Sequence, residues 1–201
     1  MIATTRTHGP IRIARLVAFT IALGVVVFAT ARATPPIAIP KGKHILVDGM
    51  LGPGEWADAR RIPASDSVTI YLKRDASYLY VAVEPAGGAF SVDLYFDPGN
   101  GASILDLHAS AKLGERKGSF GQWPEWDWWN NRGWAANVVR VANFEPRTFL
   151  VDNAKEYQIE IQRLGARRFW LSADVQTGEK TRTIPSDGTE RHGRRWLELR
   201  L

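Results

Sequence analysis

The sequence predicts an all-β protein: a two-sheet antiparallel β-sandwich, jelly-roll-like, behind an N-terminal signal segment. Three observations carry this expectation. Apolar and polar residues alternate with a period of two over most of the chain, glycine- and proline-containing turns separate the alternating runs, and no comparable stretch sustains a helical period.

The signal segment comes first. Arg6, Arg12 and Arg15 precede an apolar run from Leu16 to Phe28, and Ala31-Arg32-Ala33 follows before Thr34-Pro35-Pro36. A charged start, an apolar middle and a small-residue end make a translocation signal, which places cleavage after Ala33. The apolar run is shorter than the roughly 18 to 20 residues that span a bilayer core, so a retained anchor is the alternative and no stable membrane insertion is expected once the segment is removed. Its loss takes Lys and Arg from 26 to 22 against 21 acids, lowering the formal charge from +5 to +1. A nucleic-acid partner then has no electrostatic support. Cysteine is absent, which removes disulfides and thiolate metal sites as sources of stability. The expected location is periplasmic or extracellular, in a bacterial envelope.

Residues 34–43 are rich in proline and then lysine and glycine, and read as an extended leader. The domain is expected over residues 44–201. Val68, Ile70 and Leu72 alternate with Thr69, Tyr71 and Lys73; past Arg74-Asp75-Ala76-Ser77, Leu79, Val81 and Val83 alternate with Tyr78, Tyr80 and Ala82, which makes a hairpin. Phe90 to Phe96 alternates until Pro98-Gly99-Asn100-Gly101, and Leu105, Leu107 and Ala109 continue the pattern. Residues 136–141, 157–161, 169–175 and 196–201 read as further short strands. Eight or more such strands with half-polar faces suit two sheets packed face to face.

Five of the eight tryptophans fall in Gln122-Trp123-Pro124-Glu125-Trp126-Asp127-Trp128-Trp129-Asn130-Asn131-Arg132-Gly133-Trp134. Proline and glycine make this a loop or an irregular strand, and a loop buries only some of five indoles. An indole offers a flat apolar face to the axial C–H face of a pyranose, while amide, carboxylate and guanidinium groups bond its hydroxyls. The expected ligand-binding residues are therefore Trp123, Trp126, Trp128, Trp129 and Trp134, with Asn130, Asn131, Arg132 and Asp127. The competing reading folds the loop over the sandwich as a satellite core.

No catalytic residues are expected. Asp93 and Asp97 share a strand face, but residues four apart on a strand are about 13 Å from each other, beyond glycosidase geometry. G-x-S-x-G, H-E-x-x-H and a glycine-rich phosphate loop are all missing. His8, His44, His108 and His192 show no metal-ligand spacing, and His108 reads as a polar strand residue. No metal site is expected. Asp97, Asn100 and Asp106 around a glycine turn leave calcium as an alternative to an ordinary turn.

Val47-Asp48-Gly49-Met50-Leu51, followed by Glu55-Trp56 and Ala59, resembles the opening of family 9 carbohydrate-binding modules and their relatives. Tyr78 to Val83, Val92 to Pro98, Tyr157 to Ile161 and the closing Trp196-Leu197-Glu198-Leu199 are similar to later strands of that superfamily. The resemblance runs from about residue 45 to the end and implies a β-sandwich. It further implies a turn at Asp48-Gly49, Leu51 in the core, and Glu55-Trp56 capping one end. Members that bind sugars clamp a glucose-type ring between aromatic residues, and calcium is common among them. In the wider superfamily, related sandwiches carry haem on Met and His, and Met50 is the sole methionine after residue 33.

The expected function is an exported, non-catalytic carbohydrate-binding domain whose partner is an oligo- or polysaccharide. A haem-binding electron-transfer domain and an envelope interaction or scaffold protein are the alternatives. N-terminal sequencing of the exported protein is expected to begin at Thr34; a start inside the apolar run contradicts the cleavage site.

Overall fold

The computed structural model describes residues 35–88, 90–129, 132–144, 147–150, 152–186 and 195–201. The signal segment and its cleavage point lie outside them. The described residues form fifteen strands. The first five are β1 (Ile37–Ala38), β2 (Arg60–Ser65), β3 (Val68–Arg74), β4 (Tyr78–Pro85) and β5 (Ser91–Asp97). Next come β6 (Ile104–Ala109), β7 (Leu113–Gly118), β8 (Asp127–Trp128), β9 (Trp134–Ala136) and β10 (Arg140–Phe144). β11 (Arg147–Leu150), β12 (Lys155–Glu160), β13 (Arg168–Thr177), β14 (Lys180–Ile184) and β15 (Leu197–Arg200) complete the set.

The smaller sheet has the order β2-β3-β4-β12-β9. The larger runs β1-β15-β13-β5-β6-β7-β8, with β14 beside β13, while β10 and β11 form a separate ribbon. Only the β1–β15 pairing is parallel among these described pairs. The alternation read from the sequence chooses the inner faces. Val68, Ile70, Leu72, Leu79, Val81, Val83, Tyr157 and Ile159 of the smaller sheet meet Val92, Leu94, Phe96, Leu105, Leu107, Phe169, Leu171 and Val175 of the larger in one buried core. Among the described residues no helix is long and apolar enough to cross a membrane.

Three local expectations change. The leader is extended, as expected, but it is built into the sheet: Ile37–Ala38 pairs with β15, the Ile39 N–H donates to the Arg200 carbonyl at 2.9 Å, and Ile39 is buried. The ordered domain therefore includes residues 35–43; prolines 35, 36 and 40 are tolerated because β1 is an edge strand. Strands β2, β7 and β14 escaped the sequence reading because they carry proline or mostly polar residues. The strand expected over 136–141 is interrupted at Asn137, whose side chain bonds the Asp152 carboxylate, the Ala154 carbonyl and the Glu156 N–H.

Trp56 does not cap an end of the sandwich. It lies with Ile45 on the outer face of the smaller sheet, against Tyr80 and Ala82, while Leu51 packs beside it. The Asp48-Gly49 turn forms, with Gly49 at φ +84° and the Met50 N–H donating to Asp48 Oδ1. This layer buries side chains that alternation assigns to an outward face. Lys73 is wholly enclosed, its Nζ donating to the Glu55 carbonyl at 2.5 Å and to Asp58 Oδ1 at 2.9 Å. Glu156 anchors the layer from below, accepting from Trp56 Nε1 at 2.9 Å and from the Asp48 and Gly49 N–H groups at 3.1 and 2.8 Å.

Trp56→Phe keeps most of the ring but strips Glu156 of its indole donor, and is expected to cost about 1–3 kcal/mol. Trp56→Ala also empties the site, at about 3–5 kcal/mol. Urea unfolding of both variants checks the order; equal and negligible losses contradict the anchoring of this layer through Glu156.

Candidate functional site

The outer face of the larger sheet carries the polar residues of β5, β6, β7 and β13, and strand register lines them up. Asp174, Asp93, His108, Gly114 and Trp128 are successive cross-strand neighbours from β13 to β8. A second row runs Ser172, Tyr95, Asp106 and Arg116. The tryptophan loop turns back over this face. It can approach because β7 has glycine where a side chain would collide: a Cβ at Gly114 would lie 2.6 Å from the Trp128 ring, and one at Gly118 would lie 2.8 Å from Trp123.

The indoles and cations interleave. Trp126 and Trp128 stack at 5.3 Å with planes 26° apart. The Arg116 guanidinium lies 4.1 Å from the Trp126 ring centre and 4.6 Å from that of Trp123, and Lys112 Nζ lies 3.3 Å from that of Trp128. Trp123 also meets Tyr95, and its half-buried indole leaves Nε1 without a partner. The imidazole of His108 stands edge-on to both Trp126 and Trp128, 5.5 Å from each.

The nine residues expected to bind ligand divide accordingly. Trp128 and Trp129 are 37% and 62% exposed, and Trp126 and Trp123 are half-buried. Trp134 is corrected to the core: it is 4% exposed, stacks on Tyr157 and donates from Nε1 to Glu115 Oε2 at 2.8 Å. Its enclosed ring cannot meet a sugar. Asp127 is exposed and pairs across the strands with Glu115; Arg132 is exposed, and its carbonyl accepts from Arg163. Asn130 and Asn131 lie outside the described residues. Trp129 is the only non-glycine with positive φ, +64°, among the described residues, and its N–H donates to the Leu113 carbonyl at 2.8 Å. A left-handed conformation costs roughly 1–2 kcal/mol for a residue with a side chain. Here it turns the largest side chain outward.

Beneath the indoles lie three carboxylates. Asp174 accepts from Tyr95 Oη at 3.1 Å and Thr183 Oγ1 at 2.6 Å. Asp93 Oδ1 is 2.5 Å from His108 Nδ1, and the other imidazole nitrogen, Nε2, is 2.8 Å from Ser110 Oγ. Asp106 is fully buried; Oδ2 accepts from Arg116 Nε at 2.7 Å and Oδ1 has no partner. Burial, and secondly the Asp93 charge, push the Asp106 carboxyl well above the usual carboxylate range against the pull of Arg116. The Tyr95 phenol is driven up by burial and by the charges of Asp106, Asp174 and Asp93.

Sequence reading gave His108 only a polar strand face and Asp106 only the calcium alternative, and passed over Ser110, Arg116 and Lys112. Period-two spacing puts His108 and Ser110 on one face, but only pairing with β5 brings Asp93 to them. The calcium alternative meets an Asx-type turn: Asp97 Oδ1 accepts from the N–H groups of Gly99, Asn100 and Gly101, while Asp106 is engaged by Arg116. Among the described residues no three acidic or histidine side chains form a metal cluster. For the haem alternative, Met50 is 48% exposed, His44 Nδ1 is bonded to Tyr80, and His108 is engaged through both nitrogens. Two open clefts, of 510 Å³ beside Asp66, Glu84 and Asp152 and of 370 Å³ beside Phe96, Lys117 and Arg163, contain neither methionine nor histidine. Neither of these two linings holds an indole.

No family model matches the sequence, and comparison with curated proteins finds no match. Among solved structures the fold is similar to a family 9 carbohydrate-binding module from Caldicellulosiruptor kristjanssonii, solved in complex with cellotriose. The TM-score is 0.52 at 13% identity, covering 83% of this chain and 93% of that one. The chain has the β-sandwich fold of these modules.

Because the folded state keeps a proton on Asp106 that the unfolded chain releases near pH 4, this contribution to stability is complete below about pH 4 and declines as the pH rises through the raised value. Asp106→Asn retains an acceptor for Arg116 and removes the titration. Thermal unfolding is expected to show the variant gaining on the parent as the pH rises above about 4; a constant difference contradicts the raised Asp106 carboxyl.

Proposed function

We propose that this is an exported saccharide-binding domain that holds sugar rings on the exposed indoles of Trp128 and Trp129 and leaves glycosidic bonds intact. One observation carries the reading: Trp129 combines a left-handed backbone with a 62% exposed indole beside the partly exposed Trp128. The strained backbone works against folding, and the exposed ring forgoes the gain of burial. A ligand that covers the ring offsets both costs.

A pyranose suits this surface better than an enclosed apolar molecule would. Its flat C–H face needs only an open indole, and its hydroxyls need nearby polar groups, which Asp127 and Arg132 provide at the same loop. Trp126 contributes as a brace, with one face against Trp128 and a guanidinium near its ring. The likeness in fold to a module solved with cellotriose supports the same class of ligand. Such a domain serves outside the cytoplasm, where polysaccharides are met, in keeping with the signal segment.

Titration with cellotriose and xylotriose, followed by tryptophan fluorescence and calorimetry, tests the proposal. Binding should alter the emission, and Trp129→Ala should weaken it about ten- to a hundredfold, the equivalent of roughly half an indole buried, with no change in the unfolding temperature. Absence of any response to a panel of oligosaccharides, or full affinity in Trp129→Ala, overturns the reading.

A further inference from the structure

We infer that Ser110, His108 and Asp93 form a nucleophile–base–carboxylate chain that hydrolyses carboxylic esters, a function beyond saccharide binding. Ser110 Oγ lies 2.8 Å from His108 Nε2, and His108 Nδ1 lies 2.5 Å from Asp93 Oδ1. Asp93 accepts only from a protonated Nδ1, which leaves Nε2 as the acceptor for the serine hydroxyl. Nucleophile, base and orienting carboxylate are thereby connected in the sense that acyl transfer requires, and such a constellation is defined by geometry and roles rather than by fold or chain order.

Sheet register makes the arrangement rigid. Asp93 and His108 are cross-strand partners in β5 and β6, and Ser110 follows His108 by two residues on the same face. Trp126 and Trp128 stand edge-on to the imidazole at 5.5 Å and hold its plane. Ser110 occupies the turn into β7, half-buried, while the side chains of His108 and Asp93 are 16% and 24% exposed. The competing role for the hydroxyl, closing the turn, is weaker: its contacts with the Lys112 N–H and carbonyl are both 3.4 Å.

The chemistry balances with water alone. Ser110 Oγ bonds to the ester carbonyl carbon while His108 Nε2 takes the hydroxyl proton. The carbon–oxygen bond to the alcohol then breaks, and the alcohol departs with that proton. Water attacks the acyl-serine through the same base, releasing the carboxylic acid and restoring Ser110. Asp93 carries the counter-charge for the imidazolium in both halves. With a ring stacked on Trp128 and Trp129, a substrate would be an O-acylated saccharide; that assignment rests on the preceding section, whereas ester cleavage rests on these three residues.

Hydrolysis of p-nitrophenyl acetate and labelling by a fluorophosphonate, located by peptide mass spectrometry, test the chain on the purified protein. The expected results are a single adduct at Ser110 and a loss of at least about a hundredfold in rate for Ser110→Ala and His108→Asn, with a smaller loss for Asp93→Asn. Cellotriose titration of Ser110→Ala separates the two functions. Intact saccharide binding without labelling at Ser110, or undiminished hydrolysis in Ser110→Ala, overturns the ester-cleaving chain and leaves the binding domain. Labelling at Ser110 in a protein that binds no saccharide supports the chain and overturns the binding reading.

Discussion

Burial of alternate residues between the two sheets sets the register of the strands, and what stands on the outer faces follows from it. Val92, Leu94 and Phe96 must face Leu79, Val81 and Ile159 across the core, since a slip by one residue would expose them. Asp93 and Tyr95 are then committed to the opposite face, opposite His108 and Asp106. With no cysteine in the chain, this packing has no covalent substitute. The polar rows on the larger sheet are thus a consequence of how its apolar rows are buried.

The two outer faces are resolved differently. On the smaller sheet, residues 45–59 lay down a second apolar layer, pinned by a carboxylate with three donors, so that even Lys73 disappears from solvent with its ammonium held by two acceptors. On the larger sheet the tryptophan loop covers β7 through glycines, but its indoles alternate with Arg116 and Lys112 and their burial falls off from Trp126 to Trp129. Trp134 is structural, Trp126 and Trp123 are braces, and Trp128 and Trp129 remain open. A single run of five indoles thus serves both the core and the surface.

Ionisable groups enclosed by these layers retain the cost of their burial. Desolvation lifts the Glu156 carboxyl despite its indole and backbone donors, and it lowers the Lys155 ammonium despite Asp152 at 3.2 Å. Asp106 is the extreme case, with one oxygen bonded to Arg116 and the other bonded to nothing. Placing the deepest carboxylate under the aromatic loop, among two further carboxylates, concentrates unfavourable electrostatics on the one face where the indoles remain open to solvent.

The β-sandwich, the β3–β4 hairpin and the strands over β5, β6, β12, β13 and β15 were legible in the chain, because alternation and turn chemistry are local. Polar strands such as β7 were not, since their place depends on a neighbour that sequence alone does not identify. The same limit governed the site. Composition singled out residues 122–134 but could not separate the enclosed Trp134 from the exposed Trp129, and it scattered Asp93, His108 and Ser110 over two strands. What the sequence determined by itself was the fold class and the presence of an indole-rich loop, both written in the order of side chains along the backbone. Which indoles stay open, and which acids meet an imidazole and a hydroxyl, only the tertiary structure decided, because those distances arise from pairing between strands whose register the shared core imposes.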